Sequence, residues 1–246
     1  MKVQPSSSQD LDLGNGLRGR CGGWSFSGEV ARAFSEHVRQ SVPLYEEGHR
    51  VVADLSTFFM RADGLGYDLG MSTGDLLTRL VDANVAKPRS RWVGIDVEPD
   101  MVSLATDRLR GQPNVELVCA DIVDHEFQPC DFIVAYYTLQ FLSEESREEV
   151  VRRCCRSLHR GGAFVLFEKV RSASPKIQDM VGAMYQDYKL TNGYSPDEVV
   201  NKARSLRGVL QPLSSEENVS MLGRCGFATV VTVTKLLCFE GFLAIK

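Results

Sequence analysis

Leu65-Gly66-Tyr67-Asp68-Leu69-Gly70-Met71-Ser72-Thr73-Gly74-Asp75 is the stretch whose reading decides the fold. A short apolar run, Leu65, Tyr67 and Leu69, reads as a buried strand. It breaks into a turn punctuated by Gly70 and Gly74, and a helical pattern follows from Asp75. Glycine in such a turn lets backbone N–H groups and a helix N-terminus approach a bound ligand. The turn alone also fits a junction that needs glycine only for geometry. Position favours the ligand reading, because Asp96 ends the next strand-like run, Trp92-Val93-Gly94-Ile95. A glycine turn with an acid at the tip of the following strand is how doubly wound folds hold an adenosine ribose. Gly70 to Gly74 is too sparse in glycine to cradle a pyrophosphate and lacks the lysine of a P-loop, which disfavours a dinucleotide.

Working outward, strands and helices alternate. Arg91–Asp96 and Val115–Ala120 read as strands, with a helix from Pro99 to Arg110 between them. Phe132–Tyr137 is a further strand, followed by a helix from Ser143 to Leu158 that Ser143 can cap. Gly161-Gly162 ends that helix and Ala163–Val170 is the next strand. Such alternation implies an α/β fold with a parallel sheet covered on both faces. The last two strand patterns, Val230–Lys235 and Leu237–Lys246, follow too closely for a crossover helix and are therefore antiparallel. Between Arg171 and Phe227 the pattern is mostly helical. It reads as a cap, at about 172–220, over the strand tips where doubly wound folds bind ligands. Before the first strand lie two amphipathic helices, separated at Pro43, the second running from Tyr45 to about Phe59. Residues 1–22 are polar and glycine-rich and read as a flexible tail, leaving 23–246 as a single domain.

Composition narrows the class. The chain has 246 residues and a formal charge of −4, which gives no basic footprint for nucleic acid. Its seven cysteines are odd in number and form no Cys-x-x-Cys pair, and its four histidines are scattered. Reduced thiols in a cytoplasmic protein, without a metal site, are the simpler reading. Cys119 and Cys238 fall in strand-like runs and read as core. No segment is long and apolar enough to span a membrane.

Several acids stand where chemistry is expected. Asp68, at the end of the first strand, suits a ligand amino group or a turn cap. Asp96 offers two acceptor oxygens to a vicinal diol. Asp121-Ile122, after the third strand, suits an adenine amino group and ring, or a plain helix cap. Tyr136 and Tyr137 are adjacent on a strand, so at most one should face a pocket. A parallel sheet closed by an antiparallel hairpin resembles the Rossmann-like class I S-adenosylmethionine-dependent methyltransferases, with a mostly parallel seven-stranded sheet.

A closer resemblance runs from Trp24 onward. Gly23-Trp24-Ser25-Phe26, Ser41-Val42-Pro43-Leu44-Tyr45, Tyr67-Asp68-Leu69-Gly70, Thr138-Leu139-Gln140-Phe141-Leu142, Glu168-Lys169 and Asn192-Gly193-Tyr194-Ser195 are similar to the carboxy-S-adenosyl-L-methionine synthase family. That family makes carboxy-S-adenosylmethionine from S-adenosylmethionine and prephenate for modification of a tRNA wobble uridine. The resemblance implies that Tyr45 closes over the cofactor and that Gly70, Met71 and Ser72 form its methionine-side loop. It places the ribose on Asp96 and Val97 and the adenine on Asp121 and Ile122. Arg204 matches an arginine that grips a carboxylate, a task its planar fork suits, although on sequence alone it also fits a solvated helix face. The resemblance further implies a homodimer, with Val199, Leu206, Val209 and Leu210 as apolar surface, unless they pack on their own chain.

Three departures accompany it. Met71 stands where the family has cysteine, Tyr136 where it has asparagine, and Tyr185-Gln186-Asp187-Tyr188 replaces a histidine-containing stretch. They fall on the side of the transferred group rather than on the adenosine grip. The leading expectation is therefore methyl transfer to a small, carboxylate-bearing metabolite. Tyr136, Tyr185, Tyr188 and Glu168 are candidate bases, and Arg204, with Tyr188 and Lys202, would hold the substrate. The alternatives are carboxy-S-adenosylmethionine synthesis itself and a non-catalytic protein that keeps the fold as an interaction surface.

Overall fold

The computed structural model describes residues 11–14 and 17–246. Its centre is a seven-stranded sheet made of β3 (Leu65–Leu69), β4 (Arg91–Asp96), β5 (Val115–Cys119), β6 (Cys130–Tyr136), β7 (Leu158–Lys169), β8 (Thr229–Leu236) and β9 (Phe239–Ile245). The strand order is β5-β4-β3-β6-β7-β9-β8. The first five of these are parallel, and β9 runs antiparallel to both β7 and β8. The chain order reverses between β3 and β6, and ligands of open α/β sheets bind at the strand tips beside such a switch point.

Every residue of β3 and β6 is buried, as expected for central strands covered on both faces. On one face, Tyr67, Leu69, Ile133 and Leu166 pack with Val150, Val151 and Cys154 of α5 (Glu144–Ser157) and with Met221 and Leu222 of α8 (Ser215–Arg224). On the other, Trp92, Phe132 and Val134 meet Val52 of α2 (Tyr45–Phe59), Leu77 and Leu80 of α3 (Asp75–Ala83) and Ala105 of α4 (Pro99–Arg108). Ser143 caps α5 by accepting from the Ser146 N–H, as its sequence position suggests.

Four expectations are corrected. β7 begins at Leu158, directly after α5, so Gly161-Gly162 does not end a helix. The glycines lie in an irregular stretch where β7's pairing with β6 shifts register between Cys130 and Phe132, and Gly161 sits at φ 80°. The α8 helix belongs to the sheet's core rather than to a cap, because Met221 and Leu222 are fully covered. The cap is α6 (Pro175–Thr191) and α7 (Pro196–Ser205), the latter started by a reciprocal capping box between Ser195 and Glu198. Cys119 is exposed, since β5 is an edge strand.

The fourth correction concerns the N-terminus. Of the expected tail, residues 1–10, 15 and 16 lie outside the described residues. The remainder is packed: β1 (Leu11–Asp12) pairs with β2 (Arg18–Gly19), and Leu13 and Leu17 are 1% exposed. The Gly22 N–H donates to the Arg204 carbonyl and the Trp24 N–H to that of Ser205, which fastens this segment along the end of α7. From there α1 (Glu29–Ser41) leads into α2.

Candidate active site

A cavity of about 370 Å³ opens above the tips of β3, β4 and β6, roofed by α1, the start of α2 and the cap. Tyr45, Asp68, Gly70, Met71, Ser72, Asp96, Val97, Asp121, Ile122, Tyr136 and Tyr185 all line it. Arg204 and Tyr188 do not.

The turn after β3 is held by Ile95, whose carbonyl accepts from the Gly70 N–H at 2.8 Å and the Met71 N–H at 3.0 Å. Gly70 needs to be glycine twice over. Its φ is 72°, and an added Cβ would stand 2.4 Å from the Thr138 side chain. Met71 is 3% exposed, and its sulfur occupies the space that a side chain at position 94 would need, so Gly94 is what accommodates it. Ser72 and Glu98 each donate a backbone N–H to Asp96, one to each oxygen, at 2.8 and 3.0 Å. The carboxylate still has acceptor capacity left for a diol. Burial raises the Asp96 pKa while these N–H groups oppose the rise.

Asp68 is 1% exposed, and among the described residues neither of its oxygens has a hydrogen-bond partner. Burial, and secondarily the nearby Asp96, push its pKa up to about 8. An orphaned buried carboxyl facing a cavity fits a ligand that brings its own cationic donor, as a methionine ammonium group would. Asp121 is exposed and uses one oxygen to accept from the Val123 N–H, while Ile122 is buried against the cavity.

Both tyrosines of the β6 tip line the cavity, contrary to strand alternation. Tyr137 has left the strand and sits at φ 59°, which turns it to the same side as Tyr136. The Tyr136 hydroxyl donates to the Tyr45 carbonyl at 2.7 Å, and Tyr185 donates to the Ser41 carbonyl at 2.9 Å. Burial raises both phenol pKa values. A phenol whose proton is committed to a backbone carbonyl, and which resists ionisation, is a strut rather than a base. Glu168 is 1% exposed, does not line the cavity, and is pushed up to about 8, chiefly by burial. The Tyr188 ring stacks near Tyr185 at 6.5 Å, and its backbone carbonyl accepts from the Asn192 side-chain amide at 2.8 Å.

The Arg204 side chain is exposed. Lys202, Leu206 and Leu210, spaced by four, all face the cavity, so a residue two positions after Lys202 points away. Of the residues expected as apolar surface, Val199 is buried, Leu206 and Leu210 line the cavity, and Val209 is half-buried. Sequence reasoning underrated Lys202, which donates to Ser41 Oγ at 2.5 Å and lies 2.6 Å from His37 Nε2. The four-residue spacing was the available signal. Lys169 and His49 were missed as lining residues.

Against known proteins, residues 67–162 match the family described as "Methyltransferase domain". Two solved structures share the fold: the pyocyanin biosynthetic protein PhzM and human N-acetylserotonin methyltransferase in complex with S-adenosylmethionine. PhzM has a TM-score of 0.63 at 21% identity, with 89% of this chain and 58% of that one covered. The human enzyme has a TM-score of 0.60 at 16% identity, with 89% and 56% covered. This chain thus spans less than two thirds of either. The fold and the domain are those of the class I methyltransferases, enzymes that use S-adenosylmethionine as cofactor. Within that class, the carboxy-S-adenosyl-L-methionine synthase of Staphylococcus epidermidis is 36% identical over 224 residues, 91% of this chain and 97% of the relative. The chain belongs to the carboxy-S-adenosyl-L-methionine synthase family.

Proposed function

We propose that this cavity binds S-adenosylmethionine and directs its methyl group to a small, carboxylate-bearing metabolite. The observation that carries the reading is a cavity lining of two signs, with Asp68 and Asp96 at the tips of β3 and β4, Lys169 at the tip of β7 and Lys202 on the cap. Asp68 takes the ammonium group, Asp96 with Val97 the ribose, and Asp121 with Ile122 the adenine. Gly70, Met71 and Ser72 shape the methionine side. Tyr45 and Tyr136, with ring centroids 5.2 Å apart, offer aromatic faces suited to a sulfonium cation. Bound there, the cofactor supplies an already activated methyl group. The protein's work is to align the acceptor and exclude water.

The second reading is carboxy-S-adenosylmethionine synthesis with prephenate, supported by the names of the relatives. Against it, Tyr136 presents a ring where an amide would present donors. Arg204 lies outside the chain's own cavity and would serve only in a partner's. A homodimer belongs to the proposal, supported by exposed Ile177, Met180 and Met184 along α6, and light scattering tests it. So does a cytoplasmic setting, supported by cysteines that are all unbridged. The deciding experiment incubates the protein with S-adenosylmethionine and prephenate and analyses the cofactor by mass spectrometry. Unaltered cofactor is expected. A cofactor with a carboxyl group in place of a hydrogen, together with phenylpyruvate, replaces the first reading by the second.

A further inference from the structure

Arg147, in the first turn of α5, is one of the largest fully buried side chains of the molecule, at 1% exposed. Burying a guanidinium is costly unless a carboxylate neutralises it, and a cation in the first turn of a helix also opposes the helix dipole. Arg147 lies against carbonyls instead. Its Nε donates to Leu139 at 3.0 Å, and its Nη2 donates to Gln211 at 2.6 Å and to Leu142 at 3.4 Å. Its charge acts on Glu168, yet among the described residues both Glu168 oxygens and Arg147 Nη1 are without a hydrogen-bond partner. The group is placed for the reach of its donors rather than for neutralisation of its charge.

The carbonyls it holds belong to two segments that meet at the cavity wall. Leu139 and Leu142 bracket the single-turn 3-10 helix Leu139–Phe141 that follows β6, and Thr138, Gln140, Phe141 and Leu142 line the cavity. The Thr138 hydroxyl donates to the Leu69 carbonyl at 2.8 Å, and its side chain fills the space beside Gly70. This loop therefore buttresses the glycine turn after β3. Phe141 meets Phe26 edge-on, with ring centroids 5.0 Å apart, which joins the loop to the segment before α1. Gln211 lies on the return from the cap, outside the cavity lining, and its N–H donates to the Gln140 carbonyl at 2.8 Å. Just beyond it the two stems of the cap pair, through the Arg171 N–H on the Leu213 carbonyl at 3.0 Å.

We infer that Arg147 is a positioning residue, which holds the loop after β6 and the root of the cap in one arrangement from behind the cavity wall. It touches neither cofactor nor acceptor. The inference rests on the proposed binding of S-adenosylmethionine in this cavity and adds the group that sets the wall. A planar fork reaches carbonyls on both segments at once, whereas the single nitrogen of a lysine serves one of them.

The test is calorimetry of S-adenosylhomocysteine binding to the full chain, well below its melting temperature, with Arg147→Lys, Thr138→Val and the double variant. Arg147→Lys should weaken binding about tenfold, although position 147 lies outside the cavity. Thr138→Val removes the hydrogen bond to Leu69 and should weaken binding about threefold in the wild type. In Arg147→Lys it should weaken binding less than about 1.5-fold, because the loop has already left its place. A merely structural role would lower the melting temperature without moving the affinity or creating this coupling. Unchanged affinity in Arg147→Lys, or an equal effect of Thr138→Val in the two backgrounds, would overturn the inference. Hydrogen exchange on the wild type covers the case in which Arg147→Lys does not fold. On S-adenosylhomocysteine binding, the amides of 139–142 and of 211–214 should slow together, within about threefold of each other. Slowing of 139–142 alone would overturn the inference. A wild-type chain that does not bind S-adenosylhomocysteine overturns the cofactor reading instead.

Discussion

Asp68 concentrates the chemistry of the cofactor end in one carboxyl group. Its pKa in the folded chain is raised to about 8 from an ordinary 3.8, by burial first and Asp96 second. A raised folded pKa means that the folded state holds a proton the unfolded chain has lost, so stability falls as pH climbs from the unfolded value through the folded one. Without cofactor, the melting temperature of the wild type should therefore decline relative to Asp68→Asn from about pH 4 to about pH 8 and level off above that. Glu168, also raised to about 8, titrates in both proteins and cancels from the difference. Cofactor binding reverses the balance, because an ammonium partner favours the carboxylate. Calorimetry in buffers of different ionisation enthalpy should detect proton release on binding near neutral pH. Asp68→Asn should lose that release and about ten- to a hundred-fold in affinity, the range of one charge-assisted hydrogen bond. A variant that binds as tightly as wild type removes Asp68 from the cofactor site.

At the scale of elements, α2 reaches the tip of β6 through one glycine. A Cβ at position 48 would stand 2.1 Å from the Tyr136 hydroxyl oxygen, so Gly48 and the large residue at 136 are coupled. Gly48→Ala should destabilise the chain by about 1–3 kcal/mol through overpacking, despite alanine's better helix propensity. In a Tyr136→Phe background the clashing oxygen is gone, and at least about 1 kcal/mol of that cost should disappear, a non-additivity readable by denaturant titration. Additive effects would mean that the two elements do not share this contact. The pairing illustrates what sequence can and cannot carry. Leu65 to Asp75 was legible because strand, turn and helix are each written locally, in alternation, glycine and periodicity. The tilt of Arg204 away from the cavity was not, because helical phase against a distant sheet depends on Lys202, Leu206 and Leu210 packing inward. The Gly161-Gly162 pair misled for a related reason. Glycine ends helices locally, but here its freedom serves a register shift that only the pairing of β6 with β7 creates. Leu13 and Leu17 are covered by contacts that no local window contains.

At the scale of the molecule, the cavity is the place where three parts of the chain meet: α1 and α2 with the segment before them, the tips of the central strands, and the cap of α6 and α7. Polar links tie them together, among them Tyr185 to Ser41 and Tyr194 to Ser41 at 2.7 Å. A ligand touching all three should bind the closed arrangement and not the unfolded chain, so it adds stability by mass action. S-adenosylhomocysteine at about a hundred times its dissociation constant should contribute about 2.7 kcal/mol. For a chain of this size that corresponds to a rise in melting temperature of roughly 5–10 °C. The rise should occur in one transition if the three parts unfold together. Limited proteolysis supplies the independent reading, since the linkers around the cap, near Ala173–Ser174 and Gly208, are exposed. Cleavage there should slow with ligand in the wild type and remain unchanged in Asp68→Asn at the same ligand concentration. Protection of the sheet without protection of these linkers would show that the cofactor is held by the strand tips alone, and that closure of the cap waits for the anionic partner.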